Sequence, residues 1–348
     1  MTHRPYIFIL LLVINSVQAS DSEYLLSPAP VVGYDPSNKW LLGAALFVYP
    51  DASVEGNAAQ QYFDILAIHS EQPAWMLSSH YRHQKLFGDA DFALEAAYTD
   101  FSDSWFGDSG DTPVDPLYVL KQRSMSLRPE LAFPLTDSSH WTMFADRRER
   151  SEQSVEDHPG LRLFPNEKTT ALGVGLRSDS RNHGFSPSAG HFVEIDLSWI
   201  SKQQTDIKDA DDVWQLRAEW RQYATVTRNW VWAGRVASAL TDGEPGYLFR
   251  YSLGGARDLR GLEANRLRGK RYWLIQNELR FPLWNFISGV AFVESGAVGE
   301  QKFDPATNTL GWGLRFALPP DRSILLRLDF AQSEGEDTLT YLDFGHAF

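Results

Sequence analysis

Apolar and polar side chains alternate along much of this chain. In Val213–Tyr223 (VWQLRAEWRQY), Trp214, Leu216, Ala218 and Trp220 share one face, and Gln215, Arg217, Glu219 and Arg221 share the other. Phe92, Leu94, Ala96 and Tyr98 oppose Glu95 and Thr99, and Leu172, Val174 and Leu176 oppose Gly173, Gly175 and Arg177. Ile324, Leu326, Leu328 and Phe330 oppose Arg327 and Asp329. A period of two is the mark of a sheet with one apolar and one polar face. The pattern predicts sixteen strands, near residues 31–35, 40–49, 61–70, 74–84, 90–102, 117–133, 140–151, 167–178, 190–202, 212–224, 230–241, 271–281, 287–298, 309–318, 322–333 and 337–348.

A soluble sandwich would alternate too. These strands, however, run to about 10–13 residues, close to the ~9–11 needed to cross a bilayer at a tilt and longer than the usual ~5–6. Aromatic residues gather near strand ends (Trp40, Trp75, Trp141, Trp230, Trp284), where interfacial girdles sit. Within a bilayer only helices or a closed barrel satisfy every backbone group, and no helix pattern is present. The expected fold is therefore all-β: a transmembrane antiparallel barrel of about sixteen strands, an even number as bacterial barrels require.

Composition narrows the partners. A formal net charge of −13 argues against nucleic acid, and the absence of Cys excludes a disulfide scaffold and thiolate metal sites. Arg4, the apolar run Tyr6–Val13 and Val17-Gln18-Ala19 make residues 1–19 a signal peptide. Residues 20–30 then form a short periplasmic segment and residues 31–348 the barrel. With the N-terminus periplasmic, the long connections Asp103–Pro116, Glu152–Asn166, Ser201–Asp211 and Asp242–Lys270 face outward, and Thr227–Asn229, Pro282–Asn285 and Pro319–Asp321 are short periplasmic turns.

The sixth outer loop carries Gly254-Gly255 and then Leu259-Arg260-Gly261-Leu262. Asn277–Leu283 (NELRFPL), Phe292-Val293-Glu294-Ser295-Gly296, and Asp179-Ser180-Arg181 with Phe185, Pro187 and Gly190 follow or precede it. Together with Gly311–Arg315, Phe348 and the first hairpin Val31–Leu46, this set resembles the bacterial surface-antigen superfamily: the BamA/TamA outer-membrane assembly barrels, with two-partner secretion translocators as cousins. The resemblance covers the mature chain. It implies that the sixth loop folds into the lumen and that Arg260 pairs there with Glu278 and Glu294. An Arg fork suits two carboxylates. Leu262 stands where the family has an aromatic, so a ring contact is expected to be lost, and Leu267-Arg268-Gly269 offers a second register for the motif. Phe344 and Phe348 match an assembly signal on a terminal strand, with His346 a departure from it.

The family's periplasmic POTRA modules have no counterpart here, because Ser20–Pro30 is too short for a folded domain. An accessory partner supplying a periplasmic arm in trans is one expected partner. Other expected partners are outer-membrane lipid and lipopolysaccharide, and the barrel assembly machinery for insertion. No cofactor is implied. The expected function is non-enzymatic: protein or lipid translocation, or outer-membrane assembly, in the Gram-negative outer membrane. A passive, porin-like channel or structural barrel is the alternative, and a rim hydrolase the next. Gly107-Asp108-Ser109-Gly110 echoes a protease nucleophile segment, but no partner His or Asp is placed by a motif. His80 and His83 fall on opposite strand faces, which argues against a metal pair. The acidic loop residues, such as Asp103, Asp108 and Asp115, read as solvated faces, with a divalent cation as the less common possibility.

Overall fold

The computed structural model describes residues 24–35, 39–50, 61–71, 74–108, 112–113, 115–158, 160–184, 186–204, 212–317 and 325–348. The expected signal peptide (residues 1–19), Phe185, Ser109–Asp111 and the expected turn Pro319–Asp321 lie outside them.

Sixteen strands close into an antiparallel barrel. They are β1 (Tyr24–Asp35), β2 (Lys39–Pro50), β3 (Gln61–Ser70), β4 (Trp75–Phe87), β5 (Ala90–Trp105), β6 (Tyr118–Thr136), β7 (Ser139–Val155), β8 (Glu167–Asp179), β9 (Gly190–Gln204), β10 (Val213–Thr227), β11 (Trp230–Thr241), β14 (Arg271–Trp284), β15 (Ile287–Gly299), β16 (Thr307–Ala317), β17 (Leu325–Ser333) and β18 (Leu339–Phe344). Two three-residue strands, β12 (Tyr251–Leu253) and β13 (Leu267–Gly269), pair with each other inside the connection from β11 to β14. Residues 88–89, 137–138, 228–229 and 285–286 make tight turns at one end of the barrel. The longer connections from β5 to β6, β7 to β8, β11 to β14 and β15 to β16 leave from the strand ends at the other.

The alternation sorts the two faces as the side-chain period requires. On β10, Trp214, Leu216 and Trp220 are 53%, 44% and 45% exposed on the outside, whereas Glu219 and Tyr223 on the inside are 5% and 1% exposed. An apolar exterior with a charged interior inverts the layout of a soluble domain, and it is the arrangement of a lipid-embedded barrel.

The first and last strands differ from the expected ones. β1 begins at Tyr24, so residues 24–30 belong to the wall and not to the short periplasmic segment expected for residues 20–30. Pro28 and Pro30 both lie within this strand. Prolines two apart remove N–H donors from a single edge, and the β2 ladder runs unbroken from Tyr24 to Asp35 along the other. At the far end, β18 stops at Phe344 and not at Phe348. Phe344 and Phe348 thus do not occupy alternate positions of one terminal strand, as an assembly signal would place them. The Tyr34↔Leu342 register, continued, would set His346 against Pro30 and Phe348 against Pro28. Those prolines have no donor to give, and the chain leaves the wall. β1 and β18 meet at one register position among the described residues, whereas β14 and β15 pair from Arg271 to Trp284.

Candidate functional site: a buried arginine cluster between loop and wall

Arg260 is fully buried in the β11–β14 loop, and its contacts come from three wall strands. Its main-chain N–H and its Nε donate to the two oxygens of Glu294 on β15, at 2.6 and 2.8 Å. Nη1 donates to Asp329 Oδ2 on β17 at 2.9 Å, and Nη2 lies 2.8 Å from Glu278 Oε1 on β14. The Glu278 contact lacks hydrogen-bond alignment and is Coulombic. The Phe292 ring lies 3.5 Å beneath the guanidinium, a cation–π contact. Burial alone would push the Arg260 pKa down, but Glu294, Glu278 and Asp329 outweigh it and the net direction is up.

Charge is balanced around this centre. Arg315 donates to Asp329 at 2.5 Å, Arg327 pairs with Asp343, and Arg280 contacts Glu278 at 2.8 Å. Arg260, Arg280, Arg315 and Arg327 thus face Glu278, Glu294, Asp329 and Asp343. Buried ions are tolerated when each is compensated and hydrogen-bonded. Gln276 supplies Glu294 with a further donor at 2.9 Å.

The loop backbone has to bend sharply to deliver Arg260. Gly254 has φ +117°, and a Cβ there would fall 2.0 Å from the Glu263 carbonyl oxygen. Gly261 has φ +102° and packs against the β17 backbone at Gln332. Gly255 (φ +99°) continues the bend, and Leu259 holds a positive φ of 64° although it is not glycine. Leu259 and Leu262 insert into an apolar cluster with Leu253, Leu267, Leu274 and Val298. Leu262 therefore contributes packing in place of an aromatic ring, and Phe292 supplies the ring that Arg260 stacks on. Tyr341 of β18 ties the motif down: its hydroxyl accepts from Gly261 N–H at 3.0 Å and donates to the Leu262 carbonyl at 2.6 Å.

The second motif, Leu267-Arg268-Gly269, does not compete with the first. It forms β13, and Arg268 reaches a different sector of the wall, contacting Asp103 on β5 at 3.0 Å. Tyr247 also donates to Asp103, and its ring lies between the guanidinium groups of Arg150 (4.0 Å) and Arg268 (4.4 Å). Burial first, and Asp103 next, raise the Tyr247 pKa and keep it a donor. Asn265 Nδ2 donates to the other Asp103 oxygen at 2.9 Å, and Asp258 meets Arg235 of β11 at 2.7 Å.

Sequence reasoning names Arg260, Glu278 and Glu294, which the structure brings together. It misses Asp329, Phe292, Tyr341 and the Tyr247–Asp103 anchor. Asp329 has a signal, since it falls on the polar face of its strand. Tyr247 sits in an irregular loop without one. Elsewhere, His80 bonds Asp64 at 2.9 Å while His83 meets Tyr81 on the opposite face. Asp108 pairs with Arg250 at 3.1 Å.

The Omp85 superfamily domain matches residues 123–345. Comparison with curated protein sequences finds no match. Solved structures of the same fold include BamA from Haemophilus ducreyi lacking POTRA domains 1–3, at 13% identity and TM-score 0.63, with 92% of this chain and 70% of that one covered. CdiB from Acinetobacter baumannii matches at 12% identity and TM-score 0.61, covering 93% and 60%, and CdiB from Escherichia coli at 14% and 0.62, covering 93% and 63%. The chain thus spans less than two thirds of either CdiB structure. At these identities the likeness is one of fold. With a family match over most of its length and a closed sixteen-stranded barrel of the right polarity, the chain belongs to the Omp85 superfamily and is an integral outer-membrane β-barrel of Gram-negative type.

Proposed function

We propose that the protein is a translocation or outer-membrane assembly barrel, with the β11–β14 loop lodged in the lumen as a plug and the β1–β18 seam as the side that opens. One contrast carries this reading. Arg260 of the loop is fully buried against acids of β14, β15 and β17, while β1 and β18 meet, among the described residues, at one register pair, Tyr34↔Leu342. Each lost ladder bond lowers the work of parting two strands, so this seam is the weak line of the barrel. A passive channel has no need of either feature, and the plug opposes free conduction. Lipid and lipopolysaccharide would surround the wall. A periplasmic arm supplied by another chain would bring clients, and the barrel assembly machinery would insert the protein itself.

The test is a Tyr34→Cys, Leu342→Cys pair reconstituted in liposomes with an unfolded eight-stranded client barrel. The reduced protein is expected to speed client insertion several-fold, and oxidation across the seam to abolish the gain. No acceleration in the reduced state would sink the assembly reading, and steady open conductance would favour the channel.

A further inference from the structure

The outward face of the wall carries a charged patch that neither the loop nor the lumen uses. On β6 the outward side chains Leu131, Leu127 and Met125 are apolar, and the next two toward the outer end are Arg123 and Lys121. On β7, Met143 and Ala145 give way to Arg147 and Glu149, and on β8, Val174 and Leu172 give way to Thr170 and Lys168. The ladders set Asp100 of β5 beside Arg123, Arg147 beside Thr170, and Glu149 beside Lys168. The edge is not charged all round: the outermost outward side chains of β10 and β11 are Trp214 and Leu240.

The charges are in contact with one another. Arg147 Nη2 donates to Glu149 Oε1 at 3.1 Å and its Nη1 to Thr170 Oγ1 at 2.8 Å, while Lys168 Nζ lies 3.3 Å from Glu149 Oε2. Arg123 Nη2 donates to Asp100 Oδ2 at 3.1 Å. Two carboxylates thus position three cations, and Lys121 lies one outward position further on. With four cations to two acids the patch is net positive. The side chains of Arg123, Arg147 and Lys168 are 48%, 38% and 48% exposed, and these contacts occupy only some of their donors. As ion pairs on an open face they add little to stability. Their place on the wall has more meaning, because they border the exposed apolar side chains of Met125, Leu127 and Leu172 on the outer side. A ligand that meets both surfaces is an anionic amphiphile whose acyl chains lie in the outer leaflet. Guanidinium and ammonium groups suit phosphate, and basic residues at a membrane surface draw anionic headgroups. We propose that the outer ends of β5–β8 form a lipopolysaccharide site: Lys121, Arg123, Arg147 and Lys168 bind the phosphates of its lipid A, and the apolar side chains beside them carry its acyl chains. This is a defined site on one sector of the wall, beyond the general lipid surround, and it is independent of the loop and of the translocation reading.

The test uses the folded full chain in detergent with EDTA, and heat-modifiable gel mobility confirms folding of each variant. Binding of diphosphoryl lipid A is read by native mass spectrometry as the population of lipid adducts across a titration. The parent is expected to bind lipid A at least ~10-fold more tightly than phosphatidylglycerol, which is anionic but lacks the phosphorylated sugar. Arg147→Gln with Lys168→Gln is expected to weaken lipid A binding by ~10-fold, and adding Lys121→Gln and Arg123→Gln to weaken it further. Arg228→Gln, in the β10–β11 turn at the other mouth, removes a like charge and is expected to leave the affinity unchanged. Equal lipid A affinity in the parent and the variant lacking all four cations overturns the site. An equal loss in Arg228→Gln assigns the effect to net charge and overturns it too. Equal parent affinity for lipid A and phosphatidylglycerol overturns the lipopolysaccharide assignment. A loss in the variants that persists with dephosphorylated lipid A overturns phosphate recognition.

Discussion

Replacing Arg260 with Ala removes one cation from a balanced buried set, and the consequences fall unevenly on its three acids. Glu278 retains Arg280 at 2.8 Å, and Asp329 retains Arg315 at 2.5 Å. Glu294 retains only the amide of Gln276 as a side-chain donor among the contacts described, and its own side chain is fully buried. Breaking a buried pair by deleting one partner costs about 3–5 kcal/mol, because a charge is left uncompensated. With tenfold in an equilibrium constant for each ~1.4 kcal/mol, the open-to-docked ratio of the loop is expected to rise by roughly a hundred-fold to a few thousand-fold. Limited proteolysis in the loop under conditions of rapid opening and closing reads this ratio directly. Planar-bilayer conductance of the same protein should rise with it. The double variant is the sharper test. Arg260→Gln with Glu294→Gln removes the stranded carboxylate too, and it should recover a large part of the protection lost in Arg260→Gln alone. Equal protease resistance in Arg260→Ala and parent would refute the anchoring role. A double variant no better than the single would refute the assignment of the cost to Glu294.

Other outcomes follow from the same contacts. Tyr247→Phe removes a buried hydroxyl donor to Asp103 but keeps the ring between Arg150 and Arg268; a loss of about 1–2 kcal/mol in loop protection is expected by hydrogen exchange. Asp103→Asn should cost more in the same assay, because it strips Arg268 of its acid and weakens the Tyr247 bond together.

The barrel was legible because its period of two is written into the side chains over many residues, as in Trp214–Arg221. Its sixteen strands follow from that period with ends off by a few residues. β1 was the largest miss: it begins at Tyr24, seven residues before the strand expected from residue 31, in a stretch without clear alternation. The loop lock was legible in part. Arg260, Glu278 and Glu294 carry a motif, and Asp329 carries only its place on a polar face 69 residues away in sequence from its partner. The Tyr247 anchor and the inward course of Ala347 and Phe348 depend on contacts between chain segments with no periodicity, which local pattern does not encode. Phe348 shows the limit well. Its spacing from Phe344 fits a lipid-facing strand, and its ring sits inside against Tyr223.

The most direct measurement places loop and inner wall within reach of one short cross-linker. Ala256 of the loop packs on the cluster of Val290, Phe292, Ala331 and Tyr341, so Ala256→Cys with Ala331→Cys are small changes at a shared contact. In outer membranes of intact cells, dibromobimane is expected to bridge this pair in most folded molecules, and Arg260→Ala to reduce the yield sharply. If both thiols react singly with maleimide and no bridge forms, the loop does not lie against the interior of the barrel.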